Sequence, residues 1–404
     1  MRTISRRKFL TNSAIVSATA VTFYNAPLLA SATDALSSKR FVWVLLRGGM
    51  DGINALIPYE DSNYARLREN LALAKPGGAD SAIKISADFA LHPALKNFAQ
   101  WYQNGEMIAF PATASVYRER SHFDGQNVLE NGGLLPFEQK DGWLNRALST
   151  STINSPSGLA VGSAIPLSLQ GELAVQSWSP SVLPEAEEDV YNRLADLYAE
   201  DDQLSMRLAS LQKTRQEVAQ MDMAGERGRN NSAAAFNQMA IAAGKLMANA
   251  NGPQVATLEL GGWDTHAAQG AETGQMANQL RALDNGLNSL RQELGSRWQE
   301  TSVVVMTEFG RTARVNGTNG TDHGTASTAF MLGGAVKGGR IVGDWPGLNQ
   351  RELFEERDLR PTLDTRSILK GALSSHLGLD EAILAEKVFP SSRSIDPLEG
   401  LTIS

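Results

Sequence analysis

Three short runs along this chain are almost wholly apolar, and each stops at a polar turn: FVWVLL before RGGMDG, VATLEL before GGWDTH, and SVVVM before TEFGRT. Short continuous apolar runs are the pattern of strands buried on both faces, as in parallel sheets. The first predicts a strand from Lys39 to Leu46. Another is expected from Met107 to Phe110, then a long polar loop from Pro111 to Ser121 and a helix from His122 to Asn131 with Ser121 at its N-cap. Between Leu148 and Pro180, apolar pieces such as LAVQSW alternate with polar ones, which predicts a hairpin-like region. Residues 184–250 turn charged and rich in alanine and leucine with helical spacing, broken at Gly225 to Asn231, and read as an inserted helical subdomain or one flank of the sheet.

After GGWDTH, Leu280, Leu283, Leu287, Leu290 and Leu294 recur at three- and four-residue steps and mark the buried face of a long helix. AFMLGGAV predicts a further strand and TRSILKGALSSHL a final helix, where the helix dipole accounts for His376 near the last turn. His92 before Pro93 reads as a helix start. Strand, loop, helix and strand in succession imply an α/β fold with a parallel sheet covered by helices, and such sheets build their sites at the carboxyl ends of the strands.

Asp51, Asp264 and Glu308 stand at three of those ends, and His266 and His323 lie on or just after the same loops. Carboxylates with imidazoles suit a hard-metal or acid/base site, although any one such acid can equally be an N-cap for the next helix. RERSHFDGQN adds Arg120, Ser121 and His122, and the TEFGRT and TDHGT segments add Arg311 and Asp322. The chain has no cysteine, so a metal would be held by oxygen and imidazole alone, which suits zinc, manganese, magnesium, calcium or iron. Ser121 at a helix start either caps the helix or acts as a nucleophile toward a phosphate or sulfate ester. No G-x-S-x-G elbow and no G-x-G-x-x-G fingerprint occurs, which disfavours a Ser-His-Asp hydrolase and a dinucleotide site.

Composition changes the picture mainly at the start of the chain. SRRKFL, a modestly apolar stretch to Ala30 and an A-x-A site at Ala30 to Ala32 resemble a cleaved twin-arginine export signal, and the stretch is too polar for a firm membrane anchor. The expected location is therefore periplasmic or secreted, with the twin-arginine translocase as a partner during export. Loss of residues 1–32 removes Arg2, Arg6, Arg7 and Lys8 and no acid, leaving a chain more acidic than its formal net charge of −7. Such a balance argues against nucleic acid as a partner.

LLRGGMDGINALIP, RSHFDGQNVLENG, GGWDTH, TEFGRT with its following DHG, and GDWPGL together resemble the domain-of-unknown-function 1501 family, from about Arg40 to about Leu379. That family is similar in turn to the alkaline phosphatase and sulfatase superfamily. The resemblance implies a single domain over 33–404 with a three-layer α/β/α sandwich, a mostly parallel central sheet and a helical insertion. It also implies an exported metal-dependent hydrolase of a small anionic ester; a non-catalytic periplasmic protein that keeps the fold to bind a ligand is the alternative.

By that resemblance Ser121 is the nucleophile, Asp264, His266 and His323 hold one divalent metal, and Asp51 with Glu308 holds a second. Arg47, Arg120 or Arg311 would bind the anion. Two departures stand out. The slot of the first metal-binding Asp falls on Gly48, and the usual Asp-His pair reads Glu308 and Phe309, while Asp322 and His323 could supply that pair instead.

Overall fold

The three apolar runs become neighbouring strands in the middle of one large sheet. The computed structural model describes Thr22–Phe23 and residues 39–78, 80–150, 158–180, 188–198, 201, 204, 205, 208 and 232–403. The proposed signal motif, the A-x-A site and the break at Gly225 to Asn231 lie outside the described residues. The strands are β1 (Arg40–Arg47), β2 (Met107–Ala114), β3 (Gly158–Val161), β4 (Gln176–Trp178), β5 (Val255–Gly261), β6 (Thr301–Thr307), β7 (Ser327–Leu332), β8 (Arg340–Ile341) and β9 (Leu363–Asp364). Their order is β4-β3-β5-β1-β6-β7-β2-β8, with β9 also paired to β2. Pairing is parallel throughout these strands except for β7, which runs antiparallel to both β6 and β2.

Among the described residues, helices that cover the sheet include α1 (Lys96–Gln103), α2 (His122–Asn131), α3 (Trp143–Thr150), α4 (Ser232–Ala248), α5 (Gln275–Leu294) and α6 (Thr365–Leu377). Strand alternation decides which face each one meets. Val42, Val44 and Leu46 of β1 point into a core shared with Phe98 and Trp101 of α1, Phe236 and Ala243 of α4, and Leu280, Leu283, Leu287 and Leu290 of α5. Phe41, Trp43 and Leu45 point the other way, toward Leu129 of α2, Trp143 and Leu144 of α3, and Ile368 and Leu369 of α6. Each fully buried aliphatic side chain of this kind contributes about 1.5–3 kcal/mol. The result is a three-layer α/β/α sandwich around a mostly parallel sheet.

Three expectations are corrected. β2 continues through Pro111 to Ala114 instead of ending at Phe110, because its far end pairs with β9. β3 and β4 are parallel neighbours, where the alternation between Leu148 and Pro180 predicts a hairpin. The link between them is pinned by Asn145 of α3, whose Nδ2 donates to the carbonyls of Leu169 and Leu173 at 2.8 Å each. His376 is buried, with Nε2 2.8 Å from the Arg40 carbonyl, and burial lowers its pKa to about 4, so it is neutral and the helix dipole does not account for it.

Candidate metal centre

Register brings the polar turns together. Arg47 of β1 lies beside Gly261 of β5, and Leu46 lies beside Thr307 of β6, so the loops at 48–51, 262–266 and 308–311 leave the sheet side by side. β2 ends in the same direction and leads to α2, whose first residue is His122. The reversed direction of β7 then does something the parallel strands cannot: its N-terminal end, and with it His323, enters the sheet at this same edge.

Three imidazoles meet one carboxylate oxygen. Asp264 Oδ1 lies 3.0 Å from His266 Nε2, 3.2 Å from His323 Nε2 and 3.4 Å from His122 Nε2. Ligating atoms of His122, Asp264 and His323 all lie within 4.8 Å of one another. Each ring is held from behind through Nδ1: His122 against Glu308 Oε1 at 2.7 Å, His266 against Asp322 Oδ1 at 3.2 Å, and His323 against the Arg120 carbonyl at 2.9 Å. These oxygens accept, so neutral rings donate from Nδ1 and turn the Nε2 lone pairs inward. Two consequences follow: His266 Nε2 and His323 Nε2 stand 2.9 Å apart, and the buried Nε2 of His122 has no hydrogen-bond partner. Lone pairs facing each other at that distance repel unless a cation or a shared proton lies between them, and three imidazoles with one carboxylate are a donor set that fits a divalent metal.

The surrounding charges act differently on the members of the cluster. Burial opposes the charged form of His122, but the hydrogen bond and charge of Glu308, with Asp264 beyond, raise its pKa above the ordinary value. Burial would likewise raise Asp264, yet Arg311, which donates from Nη1 at 2.7 Å, and the nearby histidines hold it below the usual carboxylate range. Burial lowers His323 against the pull of the Arg120 carbonyl. Asn316 Nδ2 donates to Asp322 at 2.9 Å and, with His266, lowers its pKa. Asp264, His266 and Asp322 keep side chains 44%, 45% and 50% exposed, so the centre opens to solvent.

Asp51 is not brought to this cluster. It is fully buried in a two-pronged pair with Arg68, at 2.8 Å on each oxygen, and also accepts from Gln269 Nε2 at 2.7 Å. Glu308 sits one layer behind His122, its Oε1 filled by Gly48 N–H, His122 Nδ1 and Gln126 Nε2 and its Oε2 by Thr307 Oγ1. Burial is outweighed by those donors, so its carboxyl stays below the ordinary range and it remains charged. Both carboxylates of the expected Asp51–Glu308 metal pair are therefore engaged by protein donors.

The departure at Gly48 has a steric cause. Its φ is +123°, and a Cβ there would stand 2.8 Å from Asp264 N and 3.0 Å from Trp263 N, so no side chain fits the slot.

The remaining candidates divide. Arg311 is buried beside Asp264, with Nη2 on the Thr321 carbonyl at 2.7 Å. Arg120 turns its guanidinium to Asp358 at 2.9 Å and Glu355 at 2.5 Å, and contributes to the centre only by its carbonyl. Arg47 is held by Gln126 at 2.7 Å, Glu130 at 2.8 Å and Glu259 at 2.5 Å. Ser121 is the N-cap residue of α2 between Arg120 and His122, and its hydroxyl makes no capping hydrogen bond. Sequence reasoning missed Gln126 and Asn316, which orient Glu308 and Asp322; the spacing of Gln126 one helical turn after His122 was the available signal.

Residues 38–388 match the family described as "Protein of unknown function (DUF1501)". The chain belongs to this family. No curated protein matches it. Among solved structures, the DUF1501 chain is similar to Ps i-CgsB in complex with k-i-k-neocarrahexaose, at 9% identity over 89% of this chain and 77% of that one, with a TM-score of 0.43. It is similar to the lipoteichoic acid synthase LtaP from Listeria monocytogenes at 9% identity, 94% and 81% coverage and a TM-score of 0.34. A TAB5 alkaline phosphatase shares 12% identity over 74% of this chain and 92% of its own, with a TM-score of 0.33. Among the described residues, no helix is long and apolar enough to cross a membrane.

Proposed function

We propose that this DUF1501 protein is an exported hydrolase that cleaves a phosphate or sulfate ester at a single divalent-metal centre held by His122, Asp264, His266 and His323. One observation carries the reading: three imidazole Nε2 atoms converge on Asp264 Oδ1, each ring fixed from behind by its own acceptor. Three nitrogen donors and one oxygen favour zinc, or another transition metal that accepts imidazole, over magnesium and calcium, which prefer oxygen. When bound, the cation would supply Lewis-acid polarisation of an ester oxygen.

The chain's own groups do the rest. Arg311 places a buried guanidinium beside Asp264, where its charge-assisted hydrogen bond keeps that carboxylate ionised and oriented. Ser121 is the nucleophile in this reading, its hydroxyl making no capping hydrogen bond at the start of α2, where backbone N–H groups favour an anion. A bond forms from Ser121 Oγ to phosphorus or sulfur as the bond to the alcohol oxygen breaks, and water then splits the serine ester. Overall one water is divided between the alcohol and the oxyanion. SRRKFL and the A-x-A site support export through the twin-arginine translocase to the periplasm or beyond.

The test is turnover of aryl phosphates and aryl sulfates by purified protein and by Ser121→Ala. The expected result is hydrolysis of one ester class, reduced by at least about a hundredfold in the variant. Equal background rates in both would remove the catalytic reading and leave a ligand-binding protein that keeps the fold.

A further inference from the structure

Asp322 and Asn316, which fix His266, have a second role. They also line a cavity of about 350 Å³, within the range of pockets that hold small molecules. Its walls carry three arginines, Arg66, Arg314 and Arg357, against the carboxylates Asp322 and Glu356. The acids are engaged: Asp322 accepts from His266 and Asn316, and Glu356 accepts from Gln350 Nε2 at 2.9 Å. The arginines are less so. Arg66 donates to the neutral Asn63 Oδ1 at 2.9 Å, Arg314 has Glu69 only at 4.0 Å, and Arg357 alone has a close carboxylate, Asp358 at 3.0 Å. In a chain of formal net charge −7, three guanidiniums on one cavity are not background.

The walls are also fixed relative to one another. Residues 312–315 run through the middle and bond on every side: Val315 N–H to the Leu67 carbonyl at 3.1 Å, Ala313 N–H to the Arg357 carbonyl at 3.1 Å, and Thr312 N–H to the Asp322 carbonyl at 2.9 Å. Thr312 Oγ1 accepts from Asp322 N–H at 3.1 Å. The segments bearing Arg66, Arg314 and Arg357 are thus clamped into one wall that ends at the metal centre, and the cost of ordering their backbone is met by folding and not by a ligand.

We propose that this cavity is an oxyanion subsite, which receives a second phosphate or sulfate group of the ester whose reacting group lies at the metal centre. Turnover of that ester rests on the function proposed above; binding of the anion does not. Planar guanidiniums with unfilled donors match the oxygens of either anion.

The experiment separates the two. Calorimetric titration of the full chain with inorganic phosphate and with inorganic sulfate is carried out on Asp264→Ala protein, in which the metal centre lacks its carboxylate, and on Asp264→Ala with Arg66→Gln and Arg314→Gln added. The expected result is saturable binding of at least one anion in the first and at least a tenfold weaker affinity in the second, with unchanged thermal melting. In the Asp264-containing protein, Arg66→Gln/Arg314→Gln is expected to lower the preference for a bis-phosphorylated over a mono-phosphorylated ester, read as kcat/KM, by at least tenfold, with metal content kept. Absence of anion binding in Asp264→Ala, or equal affinity after the arginine changes, overturns the subsite. Binding that behaves as expected while no ester is turned over supports the subsite and removes only the catalytic reading.

Discussion

Asp51 and Glu308 look alike in sequence, each an acid just beyond an apolar run, and both are buried to within 1%. Their partners give them different work. Asp51 is neutralised by Arg68, 17 residues on, while Glu308 orients His122 on α2. Asp51→Asn is therefore expected to destabilise the fold by about 3–5 kcal/mol, since it strands a buried guanidinium, and to leave metal content unchanged. Urea unfolding and metal analysis of the same sample check this, and a loss of metal without a loss of stability would restore Asp51 to the site. No periodicity or motif links Asp51 to Arg68, so the distinction was beyond sequence reading. By contrast, the pairing of Asp264 with His266 two residues on was legible because both belong to one loop after one strand. His122 stood among the catalytic candidates, and only the packing of α2 shows its Nε2 turned toward Asp264.

At the scale of elements, the apolar runs were read correctly as strands and the leucine spacing as the buried face of α5, because burial on both faces or on one stripe leaves its period in the sequence. Strand direction leaves no such trace. β7 is as apolar as its parallel neighbours, yet runs against them, and that reversal delivers His323 to the centre. β3 and β4 carry the opposite lesson: alternation suggested a hairpin, but the contacts of Asn145 decide the path between them.

Helix α6 is clasped to β1 by neutral His376 on the Arg40 carbonyl, and His92 before α1 holds the Ala271 carbonyl at 2.9 Å. Burial lowers the pKa of each from 6.5 to about 4. Unfolded chains thus take up protons that the folded state refuses, so stability is full above about pH 6.5 and falls as the pH drops toward 4. Each histidine contributes up to about 3 kcal/mol to that loss. Urea melts between pH 7.5 and 4.5 are expected to show the decline, and His376→Asn to flatten part of it; an unchanged slope in the variant would contradict the buried neutral state.

For the whole molecule, one sheet edge gathers the proposed metal centre and, beside it, a cavity walled with arginine, on a chain whose first residues resemble an export signal. The family resemblance anticipated the layered fold; of the second metal pair it implied, Asp51 is engaged by Arg68 and Gln269, Glu308 by Gly48 and Gln126, and Gly48 leaves no room for a side chain. A centre with a single metal is the claim on which the rest depends. The direct measurement is the metal content of the folded protein by elemental mass spectrometry, for the wild type, Asp264→Ala and His323→Ala, alongside thermal melting. The account predicts about one divalent transition metal per wild-type chain and nearly none in either variant, with the apo-proteins still folded. A wild type that binds no metal after zinc or manganese is supplied, or variants that retain a full equivalent, would contradict it.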